Sequence, residues 1–160
     1  IMIFFYLLKM EEINMIRDNM ISEIQEKDLE QLQKIMRQVF NSNTSDPKAK
    51  NFYETSKKNK DIYVLGYYIE NILVGTVTLN ILTTPSGKEA TIWNLAVLKE
   101  YRKSGIATKL MNKAEEIVKN YKDIGRIWLF SGVQRKEAHK LYNKLGYDEN
   151  VDKAFIKYID

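Results

Sequence analysis

The apolar positions along the chain change their spacing several times, and each change indicates a different secondary-structure element. A short first strand is predicted at residues 20–24. A helix follows from Asp28, because apolar residues then recur at helical spacing, and Asp28 and Gln31 are placed like a capping box. After a polar break, residues 46–58 predict a second helix, for which Asp46 is the expected N-cap.

The middle of the chain has the pattern of paired strands. Residues 61–69 and 72–82 are rich in β-branched and aromatic residues, and they predict a hairpin around a turn at residues 70–71. A further turn at residues 83–88 leads into an apolar run at residues 92–98, which is short enough for a buried strand. Three antiparallel strands are therefore expected before the next helix.

That helix is predicted from the apolar face shared by residues 106–121. Residues 126–130 predict a strand that follows a helical crossover, so it should lie parallel to the strand at residues 92–98. A short helix at residues 135–145 and a last strand at residues 154–159 complete the chain. The order β-α-α-β-β-β-α-β-α-β predicts a mixed α/β fold with a mainly antiparallel central sheet flanked by helices.

The turn before the helix at residues 106–121 has the chemistry of an anion site. The first N–H groups of a helix lack intrahelical acceptors and carry the partial positive charge of the helix dipole. Arg102 and Lys103 precede this helix end, and Gly105 allows a ligand to approach the backbone without meeting a Cβ. The pattern fits a phosphate or pyrophosphate site, and it equally fits a solvated basic turn.

Two stretches resemble the signatures of the GNAT superfamily of N-acetyltransferases. Residues 102–107, Arg-Lys-Ser-Gly-Ile-Ala, resemble R/Q-x-x-G-x-G/A, with Ala107 in place of the commoner glycine. Residues 138–147 resemble the C-terminal signature A-x-x-x-Y-x-x-x-G-F/Y, and the two stretches occur in the family's order. The resemblance implies the GNAT acyl-CoA N-acyltransferase fold for a single domain at residues 15–160, preceded by an N-terminal extension at residues 1–14.

The resemblance also implies that acetyl-CoA is the co-substrate. In the family, the loop amides hold the pyrophosphate and the preceding strand pairs with the pantetheine arm. Tyr142 matches the family's general acid, which protonates the departing thiolate; the alternative is a tyrosine packed on the sheet. The positions matched to cofactor binding are Leu95, Ala96, Val97, Arg102, Lys103, Ser104, Gly105, Ile106, Ala107, Thr108, Ser131 and Arg135.

Three positions complicate this assignment. Arg135 replaces an asparagine that contacts pantetheine in many relatives, and it either reaches a CoA phosphate or is solvated. Trp93 replaces a glutamate that acts as the base in many relatives. The sequence leaves three candidates for the base: ordered water held by backbone carbonyls, Asn94 and the more distant Glu89. His139 is the only histidine; it is a further candidate for the base, but a role in packing or at the cofactor rim is expected for it.

Composition excludes several kinds of chemistry. The chain has 160 residues, no cysteine and one histidine, so disulfides and a cysteine-linked acyl intermediate are excluded and no metal site is indicated. The lack of cysteine fits a reducing cytoplasm. A net charge of +4, spread along the chain, suits an anionic cofactor better than nucleic acid. The apolar octet at residues 1–8 is much shorter than the roughly 20 residues of a membrane helix, so no membrane association is expected.

The sequence therefore predicts a cytoplasmic N-acetyltransferase that moves the acetyl group of acetyl-CoA directly to a primary amine of a small molecule or peptide. Two alternatives stay open. The first is a non-catalytic acyl-CoA sensor, and the second is an acyltransferase that uses another acyl-CoA or a protein acceptor. The resemblance is compatible with a homodimer, and no motif identifies the acceptor.

Overall fold

The computed structural model describes residues 20–42 and 46–159, so the predicted extension at residues 1–14 and the capping role of the Asp46 side chain lie outside its description. None of the described helices has both the length and the apolar character needed to cross a membrane. Short 3₁₀ turns precede the first and third helices. The elements in chain order are β1 (Met20–Glu23), α1 (Leu29–Phe40), α2 (Asp46–Lys58), β2 (Ile62–Ile69), β3 (Ile72–Thr84), β4 (Gly87–Val97), α3 (Ile106–Lys119), β5 (Ile124–Leu129) and α4 (Lys136–Lys144).

The five strands form one sheet in the order β1-β2-β3-β4-β5. The first four strands pair antiparallel, and β5 pairs parallel with β4. Glu70 and Asn71 both have positive φ (49° and 65°) in the turn between β2 and β3, as a tight type I′ hairpin turn requires. The predicted mixed sheet is confirmed, including the parallel strand that follows the helical crossover.

Helices cover both faces of this sheet. One apolar cluster packs α1 and α2 against one face, and a second cluster packs α3 and residues of the α4 region against the other. Helix α3 approaches β3 closely at Gly75, where a Cβ would lie 3.1 Å from the Ala96 carbonyl oxygen and 3.2 Å from Cγ2 of Ile106. This close approach brings the start of α3 against the end of β4.

The predicted capping box of Asp28 with Gln31 is wrong. The Asp28 carboxylate instead accepts a hydrogen bond from the backbone N–H of Gln25 (2.8 Å), one turn earlier, and another from the Tyr68 hydroxyl (2.6 Å). Asp28 is 6% exposed. A buried carboxylate needs hydrogen-bond donors around it, and the Tyr68 hydroxyl on β2 supplies one in place of solvent.

The predicted last strand at residues 154–159 is also wrong. Residues 148–159 form no strand in the described chain and are exposed, with Phe155 at 93% and Tyr158 at 90%. An ion pair between Asp152 and Arg126 (3.1 Å) joins this segment to β5. Alternating apolar residues predict a strand only where another strand satisfies the backbone hydrogen bonds, and none does so here.

Candidate active site

A cleft opens where β4 and β5 separate. Their parallel pairing ends at Ile92 and Leu129, although β4 continues to Val97. A register shift on β3 and a left-handed Asn94 (φ 53°) mark a bulge at this point, and bulges bend strands. The edge of residues 93–97 that faces β5 therefore has no strand partner in the part of the chain that the structure describes.

The cleft encloses about 240 Å³ and contains four of the predicted site residues, Leu95, Ser131, Arg135 and Tyr142. The Ser131 hydroxyl oxygen is buried and has no hydrogen-bond partner among residues 20–42 and 46–159. Such a group is unusual unless a ligand or water satisfies it. The other lining residues are Phe40, Ile92, Trp93, Asn94, Leu129, Phe130, Gly132 and Ala138.

Tyr142 extends from α4 into this cleft, and its ring meets the Tyr147 ring edge to face at 6.2 Å. Its side chain is half-buried, and the described residues give its hydroxyl no hydrogen-bond partner. Burial raises the pKa of the Tyr142 hydroxyl above its usual value, and the positive charge of Arg135 opposes that shift more weakly. The hydroxyl is therefore protonated at neutral pH, as a general acid must be.

The basic loop before α3 is held in an unusual backbone conformation. Lys103 (φ 60°) and Gly105 (φ 80°) are both left-handed. The Arg102 Nε–H donates to the carbonyl oxygen of Val97 (3.0 Å), which ties the loop to the end of β4. The Ser104 hydroxyl bonds to the Tyr101 carbonyl oxygen within the loop. The loop is thus shaped before any ligand arrives.

The end of α3 next to this loop presents free donors. The first intrahelical bond runs from the Lys109 N–H to the Gly105 carbonyl oxygen (3.0 Å), so the preceding amides of Ile106, Ala107 and Thr108 have no helical acceptor. The first turn carries no acidic residue. Space for a Cβ at Gly105 is open, with nothing within 4 Å. The helix end is therefore suited to an anion.

A second cavity of about 200 Å³ lies between the helices α1 and α2 and the sheet. It shares Phe40 and Asn94 with the cleft, so the two cavities adjoin. No pattern in the sequence indicated this cavity, because the apolar positions that form its wall on α1 follow the spacing of an ordinary core-facing helix. The lining residues are Leu32, Gln33, Met36, Phe40, Ser42, Lys48, Ala49, Phe52, Val64, Thr76, Thr78 and Asn94.

Comparison with known proteins agrees with this geometry. Residues 28–147, three quarters of the chain, match the sequence profile described as the acetyltransferase (GNAT) family. The chain belongs to the GNAT family. Members of this family are acyltransferases that use acetyl-CoA as co-substrate.

Individual relatives of this GNAT protein are distant. An N-alpha-acetyltransferase of Sulfurisphaera tokodaii is 33% identical over 86 residues, covering 54% of this chain and 51% of that protein. The N-alpha-acetyltransferase 50 of Danio rerio is 24% identical over 128 residues, covering 80% of this chain and 73% of its own. The crystal structure of glucosamine-6-phosphate N-acetyltransferase from Arabidopsis thaliana superposes with a TM-score of 0.73 at 16% identity, over 89% of this chain and 99% of that one.

Arg135 of this GNAT protein stacks on the ring of Phe40 at the end of α1. Its guanidinium carbon lies 4.5 Å from the centre of the Phe40 ring, and its Nη2–H donates to the Val39 carbonyl oxygen at 3.5 Å. Stacking on an aromatic face is favourable for a guanidinium. Arg135 therefore joins α4 to the end of α1 across the cleft, and it keeps a positive charge near Tyr142.

Two candidates for the base are engaged elsewhere. Glu89 accepts hydrogen bonds from the Trp128 indole N–H (2.9 Å) and from the Arg126 guanidinium (2.9 Å), and it lines neither cavity. His139 Nε2 lies 3.0 Å from the Gly132 carbonyl oxygen, where its N–H can donate, and it also lines neither cavity. Asn94 is the one of the three that lies in the cleft.

Proposed function

We propose that this GNAT protein transfers the acetyl group of acetyl-CoA directly to a primary amine. The observation that carries the proposal is the Tyr142 hydroxyl, which is protonated, has no partner among the described residues and lies in the cleft where β4 leaves β5. A phenol in this position can protonate a leaving thiolate.

The residues on either side of the cleft fit acetyl-CoA. The loop of Arg102, Lys103, Ser104 and Gly105, with the free amides at the start of α3, suits the pyrophosphate. Among the described residues, the edge of β4 at Leu95, Ala96 and Val97 has no strand partner on the β5 side, and there only the Val97 carbonyl oxygen is occupied, by Arg102. This edge suits an extended amide-bearing arm, since it offers hydrogen bonds as another strand would. Ser131 and Arg135 line the far wall.

The reaction forms one bond and breaks one. The amine nitrogen bonds to the thioester carbonyl carbon, and the carbon–sulfur bond breaks. Tyr142 donates its proton to the departing thiolate, and the amine nitrogen gives up a proton. No carboxylate is among the described residues that line either cavity, so water held at backbone carbonyls or at Asn94 is proposed to take up that proton and to return one to the Tyr142 phenolate.

Composition supports direct transfer by excluding one covalent route. The chain has no cysteine, so an acyl-cysteine intermediate cannot form. The same absence supports our proposal that the protein works in the reducing cytoplasm. The amine then attacks the thioester while both substrates are bound, and the two adjoining cavities provide separate places for the acyl donor and the acceptor.

The decisive experiment measures release of free CoA from acetyl-CoA against amino acids, peptides, polyamines and aminoglycosides. Turnover with at least one amine, together with mass-spectrometric detection of the acetylated product, is expected. Thermal stabilisation by acetyl-CoA without turnover on any amine would instead indicate an acyl-CoA sensor. Turnover with another acyl-CoA but not with acetyl-CoA would contradict the proposed donor.

A further inference from the structure

The cavity between α1, α2 and the sheet, called here the acceptor cavity, lies where an acceptor for the proposed reaction would enter. It shares Phe40 and Asn94 with the cleft that contains Tyr142. An amine at this shared wall can face the cleft while the atoms attached to it occupy the acceptor cavity. The shape and charge of that cavity therefore decide which amines react.

The wall of the acceptor cavity is largely apolar. Leu32, Met36 and Phe40 line it from α1, and Ala49 and Phe52 line it from α2. Thr76 adds little polarity, because its hydroxyl already donates to the Leu65 carbonyl oxygen (3.0 Å). Such a wall gains most from an apolar group that leaves water to enter it.

The charge of the acceptor cavity disfavours polycations. Lys48 is the one charged side chain among its described lining residues, and none of those residues is acidic. A polyamine or aminoglycoside carries further ammonium groups, which would meet a like charge and no carboxylate among the described lining residues. An anionic or neutral group beside the reacting amine would be tolerated or favoured.

The size of the acceptor cavity limits how much of the acceptor it can hold. Its volume of about 200 Å³ is below the roughly 300–1,000 Å³ of cavities that enclose a whole drug-sized ligand. It therefore holds one group of the acceptor, and the remainder extends outward past Lys48, whose side chain is exposed. An α-amine suits this arrangement, since its side chain and the continuing chain leave from the same carbon.

We propose that the acceptor is the α-amine of a peptide whose first side chain is large and apolar, such as leucine, methionine or phenylalanine. We further infer that Lys48 makes an acidic residue after it a better substrate than a basic one. This inference rests on the proposed acetyl transfer and names the acceptor class for the same site.

The first test compares kcat/KM for peptides that differ only in their first residue. Peptides that begin with leucine, methionine or phenylalanine are expected to exceed those that begin with glycine, serine, aspartate or lysine by about tenfold or more. Spermidine and an aminoglycoside should be poorer still. Equal rates across the peptides, or a preference for the polycations, would overturn the inference while leaving acetyl transfer intact. Absence of turnover with every amine would contradict the proposed function itself.

The second test reverses the charge of Lys48. The native protein should prefer a Leu-Asp peptide to a Leu-Lys peptide by several-fold, and Lys48→Glu should reverse that order. Lys50→Glu is the matched control, because it is exposed, lies outside the cavity lining and is about 200° around α2 from Lys48. Calorimetric Kd values for the two peptides in the presence of CoA provide a readout that is independent of turnover.

Both variants should fold, because both lysines are exposed. Unchanged thermal stabilisation by acetyl-CoA, whose proposed site lies elsewhere, checks this directly. An unchanged peptide preference in Lys48→Glu would remove the role of Lys48. As a check on the apolar wall, Phe52→Ala should reduce the advantage of apolar first residues, and retention of the full advantage would contradict the assigned wall.

Discussion

Burial favours the proposed role of Tyr142 as an acid. A phenol ordinarily titrates near pH 10, and burial raises the pKa of the Tyr142 hydroxyl further, against a smaller opposing effect of Arg135. A group that must donate its proton loses activity only as the pH rises through its pKa. The raised pKa therefore keeps the acid in its active form through the whole physiological range.

Replacing this hydroxyl alone should isolate its chemical role. Tyr142→Phe keeps the ring contact with Tyr147 and removes the proton donor, so kcat is expected to fall about 10²–10⁴-fold while acetyl-CoA still raises Tm. Steady-state kinetics and thermal unfolding measure the two effects. A kcat within twofold of the native value would assign Tyr142 to packing, and Tyr147→Phe provides a neighbouring control.

His139 is expected to act through structure, because its imidazole contacts the Gly132 carbonyl oxygen and lines neither cavity. A glutamine amide can donate to the same carbonyl, so His139→Gln should retain at least about a tenth of the native kcat/KM, less than the loss of a true base would cause. The rate should still rise towards alkaline pH, since the amine must lose a proton before it attacks.

The pH profile of kcat/KM distinguishes a structural role of His139 from a role as the base. Loss of the rising limb in His139→Gln, together with a hundredfold drop in rate, would identify His139 as the base. Retention of that limb in the variant would leave ordered water at Asn94 or at backbone carbonyls as the route for the proton.

At the scale of elements, the site depends on where β4 separates from β5 and on how β4 connects to α3. The bulge at Asn94 separates β4 from β5, and the left-handed residues Lys103 and Gly105 turn the chain from β4 into α3. The close packing of α3 on Gly75 then fixes where its free amides point. The cleft and the proposed anion site are thereby held at the same end of the sheet.

A glutamate in the loop should abolish this anion site. At acetyl-CoA concentrations of 100 Kd the native protein should gain about 2.7 kcal/mol of stability, and Gly105→Glu should gain almost none, because a negative charge then occupies the site. Thermal unfolding with and without acetyl-CoA measures the gain. The substitution also costs backbone strain of about 1–2 kcal/mol, since φ is positive there.

Gly146→Glu controls for that strain. Gly146 has a similar φ of 89° and, like Gly105, would place a Cβ with no other atom within 4 Å, but it lies after α4 and outside the loop. This variant should lose basal stability and keep its response to acetyl-CoA. An undiminished response in Gly105→Glu would place the phosphates elsewhere.

At the scale of the whole molecule, the described residues build two apolar clusters, one on each face of the sheet. The family match begins at residue 28. The N-terminal octet, which is strongly apolar, lies outside that match.

A chain that begins at Met15 should consequently fold and bind acetyl-CoA with the same thermal stabilisation as the full chain. Its solubility or self-association can change, since an apolar octet has been removed. Thermal unfolding and size-exclusion chromatography with light scattering measure both properties. Failure of the shortened chain to yield folded protein would show that the first residues complete the core.

The elements were predictable from the sequence because they depend on neighbouring residues. Apolar spacing indicated four helices and five of the six predicted strands, and the basic turn with Gly105 indicated a phosphate site. The parallel direction of β5 also followed, because a helical crossover leaves little choice. Even the resemblance to GNAT proteins rested on two short local signatures.

Only the tertiary structure decided the contacts between distant residues. Asp28 meets Tyr68 across 40 positions, and Arg135 reaches the Val39 carbonyl oxygen across 96, so neither partner could be inferred from local spacing. The segment at residues 154–159 has the alternating pattern of a strand, but no described strand pairs with it. The acceptor cavity has walls from two helices and the sheet. Local patterns determine which conformation a segment favours, whereas pairing, ion pairs and cavities depend on which surfaces the fold brings together.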